Sequence, residues 1–371
     1  MSDWLLGHPW LSKGEKCRQF ETEFAKWIGS DYAVYVNSGS SANLLVLSCL
    51  NEFHKTAQKK KIVVPALSWA TDLAPVMQLG MTPLLCDCNL SDLSVDLNKL
   101  EDIFKKQSPF AIMMVSVLGL VPDMAEVCRL CAKYNVLMVE DTCESVGSKY
   151  RGRTLGTFGV MSTFSFYYSH HISSVEGGMV TTNSVQYYNL LCSMRSHGWA
   201  RDCEPEFAKK HKQDWHVGDF DEMFTFYYPG FNLRSTEMNA FLGLGQLAKL
   251  DKAVENRNAH YIEYDKTLGL NHWRPAKRDG CYVSPLAYPL LVKERDFLYN
   301  KLRINEIETR PIIAGNLARQ PMFRSSYGEV SMPNADIVHT SGIYLPCNST
   351  MSNTDINRIC RLIGEEFVLS L

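Results

Sequence analysis

The residues whose types and positions suggest chemistry fall at the ends of apolar runs. Asn37-Ser38-Gly39-Ser40-Ser41-Ala42-Asn43 follows one such run and opens a helical pattern. Small residues there let backbone N–H groups and hydroxyls close on an anion, and the helix dipole favours its charge. Read alone, the segment is equally a capped helix. Glu140-Asp141 ends the run VLMVEDT, and open α/β sheets bind ligands at the carboxyl ends of their strands. A carboxylate there either keeps a pyridine nitrogen protonated, making the ring an electron sink, or caps the following loop. Trp69, in Leu67-Ser68-Trp69-Ala70-Thr71, follows another strand-like run, where an indole either stacks on a flat ring or fills the core.

Positioning these groups requires a layered scaffold. YAVYV (32–36), IVVPA (62–66), TPLLCDC (82–88), FAIMMVSV (110–117) and VLMVEDT (136–142) read as strands. Amphipathic helical stretches such as VDLNKLEDIFKK and DMAEVCRLCAKY fall between several of them. This alternation implies a largely parallel, doubly wound sheet. MSTFSFYY (161–168) and GGMVTTN (177–183) read as two further strands joined by a tight polar turn. Ser235-Thr236-Glu237 starts a long helix expected to continue through MNAFLGLGQLAKLDKAVENRNAHYIEY. Beyond it, CYVSPLAYPLLV (281–292) and a terminal helix near 354–368 suggest a smaller α+β domain. The expected division is residues 1–250 and 251–371.

With 371 residues, 46% of them hydrophobic and 21% charged, the chain has material for about two domains. A net charge of −2 without a basic stripe argues against nucleic-acid binding. No apolar run reaches the roughly 18 residues of a membrane span, and MSDWLLGHPW lacks a signal-peptide pattern, so a cytoplasmic location is expected. Among twelve cysteines, Cys86/Cys88 and Cys128/Cys131 are the close pairs. Neither has a second well-spaced pair to complete a zinc or iron–sulfur site, so no metal is expected.

The order NSGSSAN, ALSWAT, VSVLGLVPDM, VEDTCESVGSKYRGRTLGTFG, STFSFYYSHH, EGGMVTTN and FNLRSTEMNAFLGLGQL closely resembles the sugar aminotransferase family named after DegT, DnrJ, EryC and StrS. The resemblance implies the aspartate-aminotransferase-type α/β fold, with a mixed, mostly parallel sheet in a three-layer domain and a smaller C-terminal α+β domain. It also implies pyridoxal or pyridoxamine phosphate as cofactor, a nucleotide-linked keto-sugar substrate and a homodimer with a shared active site. Carried over by residue, Asp141 pairs with the cofactor's ring nitrogen and Trp69 stacks on the ring. Gly39, Ser40 and Ser165 hold the phosphate, Glu144 lies near the ring hydroxyl, and Asn232 reaches the partner subunit's phosphate.

One departure decides the expected reaction. Where the aminotransferases place the lysine that anchors the cofactor covalently, Ser165-Phe166-Tyr167-Tyr168-Ser169 is followed by His170, and no lysine occurs between Lys149 and Lys209. The cofactor is then held non-covalently. With Ser196-His197-Gly198-Trp199-Ala200-Arg201-Asp202, this pattern resembles the family's 3-dehydratase branch. That branch implies removal of the C3 hydroxyl from a GDP- or CDP-linked 4-keto-6-deoxy sugar for deoxysugar biosynthesis, with L-glutamate as amino donor. His170 is the expected acid–base residue, with His197 assisting. Arg201, Arg310 and Arg319 are candidate diphosphate contacts. Cys192, Cys203 and Cys281 are too few and too scattered for the iron–sulfur cluster of some members. Two other readings stay open: an aminotransferase without a covalent anchor, and a silent homologue that binds nucleotide sugars.

Overall fold

The computed structural model describes residues 1–55, 58–269 and 271–369. In chain order its main elements are helix α1 (Glu15–Ile28), strand β1 (Tyr32–Val36), helix α2 (Gly39–Phe53), strand β2 (Lys61–Pro65), helix α3 (Ala70–Gln78) and strands β3 (Thr82–Cys86), β4 (Ala111–Val115) and β5 (Leu137–Asp141). Strands β6 (Met161–Ser165) and β7 (Gly178–Thr182), helices α4 (Glu237–Leu247) and α5 (Leu250–Leu268), and strands β8 (Ala287–Leu291) and β9 (Gly342–Pro346) follow. The chain forms two compact units that interleave along the sequence: residues 1–58 with 159–249, and residues 59–158 with 250–371.

In the first unit, β7 lies between β1 and β6 and runs antiparallel to both. Helix α1 buries Phe20, Phe24, Ala25 and Ile28, the spacing of a single apolar stripe. Phe20 and Phe24 meet Phe166 and Tyr35 or Phe164 at ring distances of 5.0–5.2 Å, mostly edge-on. Under this aromatic layer Arg195 is fully buried. Its Nη1 donates to Glu21 Oε1 at 2.5 Å and to the Tyr35 carbonyl at 2.9 Å, and Asp202 stands 3.6 Å from Nη2. A buried guanidinium is tolerated only when its charge is matched in this way.

In the second unit, β2 pairs in parallel with β3 and β4, and β4 with β5. The intervening helices start on Asp96 and Asp123, whose carboxylates accept the first free N–H groups. Val63, Ile112, Met114, Leu100, Phe104, Val127 and Leu130 form its core. Strands β8 and β9 pair antiparallel near the C-terminus.

Two sequence expectations change. The long helix from residue 235 ends at Leu247, where the Lys249 N–H turns back to Gln246 and tightens the last turn, and α5 restarts at the fully buried Leu250. The link between β6 and β7 is a built loop rather than a tight turn. Phe166 donates to the Gly177 carbonyl and Ser174 to the Phe166 carbonyl, both at 2.9 Å, while Tyr35 Oη donates to Ser174 Oγ and Asn239 Nδ2 donates to the Ser174 carbonyl.

Glu237, the first residue of α4, accepts the N–H groups of Gly14, Lys16 and Cys17, each at 2.8 Å, and so holds the start of α1. Burial opposes its ionisation, but the donors of Cys17, Lys16 and Gly14 outweigh it and hold its pKa below the usual value. A depressed carboxylate contributes stability that is present above its unfolded pKa and lost as pH falls through its folded one. Glu237→Ala is therefore expected to cost about 2 kcal/mol at neutral pH. In denaturant titrations the difference should shrink below about pH 4; a loss unchanged in acid would assign it to packing instead.

Candidate active site

In the first unit, the predicted site residues gather at one end of the antiparallel strands. Gly178 pairs with Val36 on one side and Ser165 on the other. A Cβ on Gly178 would lie 2.3 Å from the Ser38 carbonyl oxygen and 2.7 Å from the Gly39 nitrogen, so only glycine lets β7 pass the start of α2 this closely. Ser38 caps α2 through the Ser41 N–H at 3.0 Å, which leaves Gly39 and Ser40 as the opening residues of the helix. Ser165, nearly buried, ends β6, and its Oγ is 3.4 Å from the Tyr167 nitrogen.

Residues 231–234 run along the same end. Asn37 donates to the Leu233 carbonyl, Leu233 donates to the Arg195 carbonyl, and isolated bridges join Val36 to Arg234 and Ser196 to Asn232. Arg234 ties two predicted residues together, with its Nε 3.0 Å from Asn232 Oδ1 and its Nη2 3.2 Å from His197 Nε2. A guanidinium only donates, so His197 Nε2 is the acceptor of this contact. This geometry makes His197 a holder of the Asn232–Arg234 pair. His197 has φ +62°, and a Cβ on the following Gly198 would lie 1.9 Å from the Tyr228 carbonyl oxygen, so the turn is closely packed.

His170 lies in the loop after Ser165. Its N–H donates to the Tyr167 carbonyl at 3.0 Å, and its partly exposed ring stands edge-on to Tyr167 with centroids 6.3 Å apart. His171 beside it is buried. Of the candidate diphosphate contacts, Arg201 stacks over Trp199 at 3.8 Å and donates to the Met223 carbonyl. In the second unit, Arg319 forks onto Asp336 with two 2.6 Å bonds, and Arg310 pairs with Glu308.

The second unit collects acids and an indole at the carboxyl ends of its parallel strands. Trp69 precedes α3 and is 52% exposed, a large aromatic face left in the open. Asp141 ends β5, 6% exposed, with its Oδ1 accepting the Cys143 N–H at 2.9 Å. Glu144 accepts the Leu118 N–H at 2.8 Å. Burial, reinforced by Asp141, lifts its pKa to about 8 against that hydrogen bond, so near neutrality it is mainly a carboxylic acid able to donate. Ser68 and Asp72 were not singled out from the sequence. Asp72 is fully buried and receives the Ser68 hydroxyl and the Trp69 N–H. An aspartate in the first turn of a helix reads as a cap, so only its burial reveals it; Arg234 was likewise hidden within FNLRSTEM.

These side chains suit a phosphorylated pyridine. The first unit offers N–H and hydroxyl donors at a helix start. The second offers a strand-end carboxylate, an exposed indole and an acid whose burial raises its pKa to about 8.

Comparison with known proteins agrees. The sequence profile of the DegT/DnrJ/EryC1/StrS aminotransferase family matches residues 1–364. A GDP-4-keto-6-deoxy-D-mannose 3-dehydratase of Yersinia pseudotuberculosis is 34% identical over 316 residues, spanning 83% of this chain and 80% of that protein. Another, from Escherichia coli O55:H7, is 33% identical over 355 residues, spanning 92% and 90%. The crystal structure of a GDP-4-keto-6-deoxymannose-3-dehydratase with a trapped PLP-glutamate geminal diamine matches with a TM-score of 0.87 at 27% identity, covering 98% of this chain and 96% of that one. The α/β fold expected from the sequence, that of the pyridoxal-phosphate aminotransferases with a mixed and mostly parallel sheet, is therefore the fold of this chain. The chain belongs to the DegT/DnrJ/EryC1/StrS aminotransferase family.

Proposed function

We propose that this protein is a pyridoxal-phosphate-dependent sugar 3-dehydratase. With L-glutamate as amino donor it removes the C3 hydroxyl of a nucleotide-linked 4-keto-6-deoxy sugar of the GDP-4-keto-6-deoxymannose type. The observation that carries the proposal is His170, which follows the end of β6 at the position where the family's aminotransferases have their anchoring lysine. The 3-dehydratases at 33% and 34% identity support it. The reaction balances: glutamate becomes 2-oxoglutarate, its nitrogen leaves as ammonia, and the sugar loses one oxygen.

When bound, the cofactor supplies an amine for the C4 ketone and a pyridinium ring that accepts electrons. Asp141 presents its carboxylate to the ring nitrogen and keeps it protonated, while Trp69 covers a ring face and excludes water. Glu144 donates to the ring oxygen. Gly39, Ser40 and Ser165 hold the phosphate, a role made heavier by the absence of any covalent anchor. His170 moves a proton at its imidazole, first as a base and then as the acid that protonates the departing C3 oxygen. His197 fixes Asn232 through Arg234, and Asn232 reaches the partner subunit's phosphate in a cytoplasmic homodimer with shared active sites. The functional division of this reading, residues 1–250 for cofactor binding and 251–371 for a smaller domain, is a different one from the two interleaved compact units.

The test is product mass after incubation with pyridoxal phosphate, L-glutamate and GDP-4-keto-6-deoxymannose. Loss of one oxygen with release of ammonia is expected; replacement of the keto oxygen by an amine would overturn the proposal in favour of transamination. His170→Asn should lower turnover by about 100-fold or more while nucleotide-sugar binding, followed by calorimetry, persists. Glu144 has a folded pKa of about 8 against an ordinary 4.5, so the stability tied to its proton is lost as pH rises through that window. Glu144→Gln should therefore gain on the wild type in denaturant midpoint between about pH 5 and about pH 8. A gap that does not vary with pH would mean that Glu144 is ionised throughout.

A further inference from the structure

Asp72, in the first turn of α3, is given no task by the proposed mechanism, and its surroundings are unusual. Its side chain has no exposure, and it lies in hydrogen-bond contact with Asp141. Its Oδ2 takes both the Ser68 hydroxyl and the Trp69 N–H, the latter at 3.1 Å. Two carboxylates in contact away from water cannot both be charged, because mutual repulsion adds to the loss of hydration. The pair therefore holds a proton, and the question is where. Burial, then the charge of Asp141 and the hydrogen bond to it, raise the pKa of Asp72 well above the carboxylate range, and the donors Ser68 and Trp69 offset this only in part. With Oδ2 occupied by two donors, the proton belongs on Oδ1. On the other side, Asp141 Oδ1 accepts the Cys143 N–H, and the Cys143 thiol is itself kept neutral by burial and by Asp141.

We propose that Asp72 is a positioning residue for Asp141: as a neutral acid it donates a hydrogen bond that, with the Cys143 N–H, clamps the Asp141 carboxylate in one orientation. Because Asp72 also receives the Trp69 N–H, it links the backbone of the ring-stacking residue to the carboxylate that meets the ring nitrogen. A flat cofactor ring would need its nitrogen partner and its stacking indole held in fixed relation, and one buried acid contacts both. The shared proton sits on Asp72, the more deeply buried partner. The assignment of a ring nitrogen to Asp141 rests on the function proposed above; the sharing of a proton does not.

The two parts are tested separately. Infrared spectra of the cofactor-free protein near neutral pH should contain a buried carboxylic-acid C=O band that is absent from Asp72→Asn and kept in Glu144→Gln. An unchanged spectrum in Asp72→Asn would overturn the protonated state. The amide of Asp72→Asn still donates to Asp141 and still accepts from Ser68 and Trp69, so pyridoxamine phosphate should bind this variant within about 3-fold of the wild type. Asp72→Ala should weaken binding by about 10-fold or more, the effect of losing a hydrogen bond to a charged group. Equal affinity of Asp72→Ala and the wild type would overturn the positioning role. If Asp72→Ala does not fold, Asp72→Ser takes its place, since it keeps a small polar group but cannot reach Asp141. Asp141→Asn controls for the functional reading: if it leaves pyridoxamine phosphate binding unchanged, the ring-nitrogen assignment fails, and the infrared result still decides the proton.

Discussion

The close passage of Gly178 over the backbone of Ser38 and Gly39 sets the geometry of the first unit. Any side chain at Gly178 would drive a carbon to 2.3 Å from the Ser38 carbonyl oxygen, so β7 can occupy the middle of its three strands only with glycine there. That register in turn places Ser165 and Val36 on either side of the same residue. The start of α2 and the end of β6 therefore share one rim, and the chain leaving β6 must loop out before it can return as β7. His170 sits in that loop, held at its base by the Phe166–Gly177 and Ser174–Phe166 bonds. The neighbouring Gly177 is constrained as well: a Cβ would lie 2.2 Å from Ser174 Oγ. The pair of glycines in EGGMVTTN is thus a packing requirement on both sides of one loop.

Charge is distributed differently in the two units. The first unit sets donors at its rim, the helix start at Gly39–Ser40 and the amide and guanidinium of Asn232 and Arg234. It neutralises its one deeply buried cation, Arg195, with Glu21 and Asp202. The second unit places Asp72, Asp141 and Glu144 within one cluster of strand ends, where desolvation decides which are charged. Asp72 and Glu144 are pushed toward neutrality, so the cluster does not carry three negative charges. Acids in one place acquire different roles because their environments separate their proton affinities.

Most of the scaffold was legible in the sequence because it rests on apolar periodicity. All seven strands read between residues 32 and 183 are present, with ends moved by at most a few residues. The helix start at Ser235–Glu237 was equally plain, since a short polar side chain before an amphipathic run has a local cause. What failed depends on contacts between distant residues. The break after Leu247 is closed by the Lys249 N–H on the Gln246 carbonyl, and nothing in the helical pattern of LGLGQLAKLDKAV marks it. The polar stretch after Phe166 resembled a turn because its loop is fixed by Tyr35 and Asn239, far away in the chain. In the site, Asp141 ends a strand and Trp69 follows one, and both were visible as such, whereas Glu144 was reached only through the family resemblance. Asp72 was not, because its importance comes from a neighbour 69 positions away.

On the proposed reading, the exchange of lysine for histidine changes both binding and outcome. An amine in that position forms a carbon–nitrogen double bond with the cofactor, which fixes it in place and gives a route to release an aminated sugar. An imidazole forms no such bond. On that reading, retention would fall on the phosphate donors, the indole and the Asp141 carboxylate, so the orientation of that carboxylate would matter more than where a covalent link holds the ring. What the imidazole keeps is the ability to take a proton and give it back near neutrality. In a sugar with a hydroxyl next to the reacting carbon, a returning proton has two destinations, carbon or the departing oxygen. With no amine to compete for the cofactor, delivery to oxygen completes an elimination, and the nitrogen contributed by glutamate leaves as ammonia instead of remaining on the sugar.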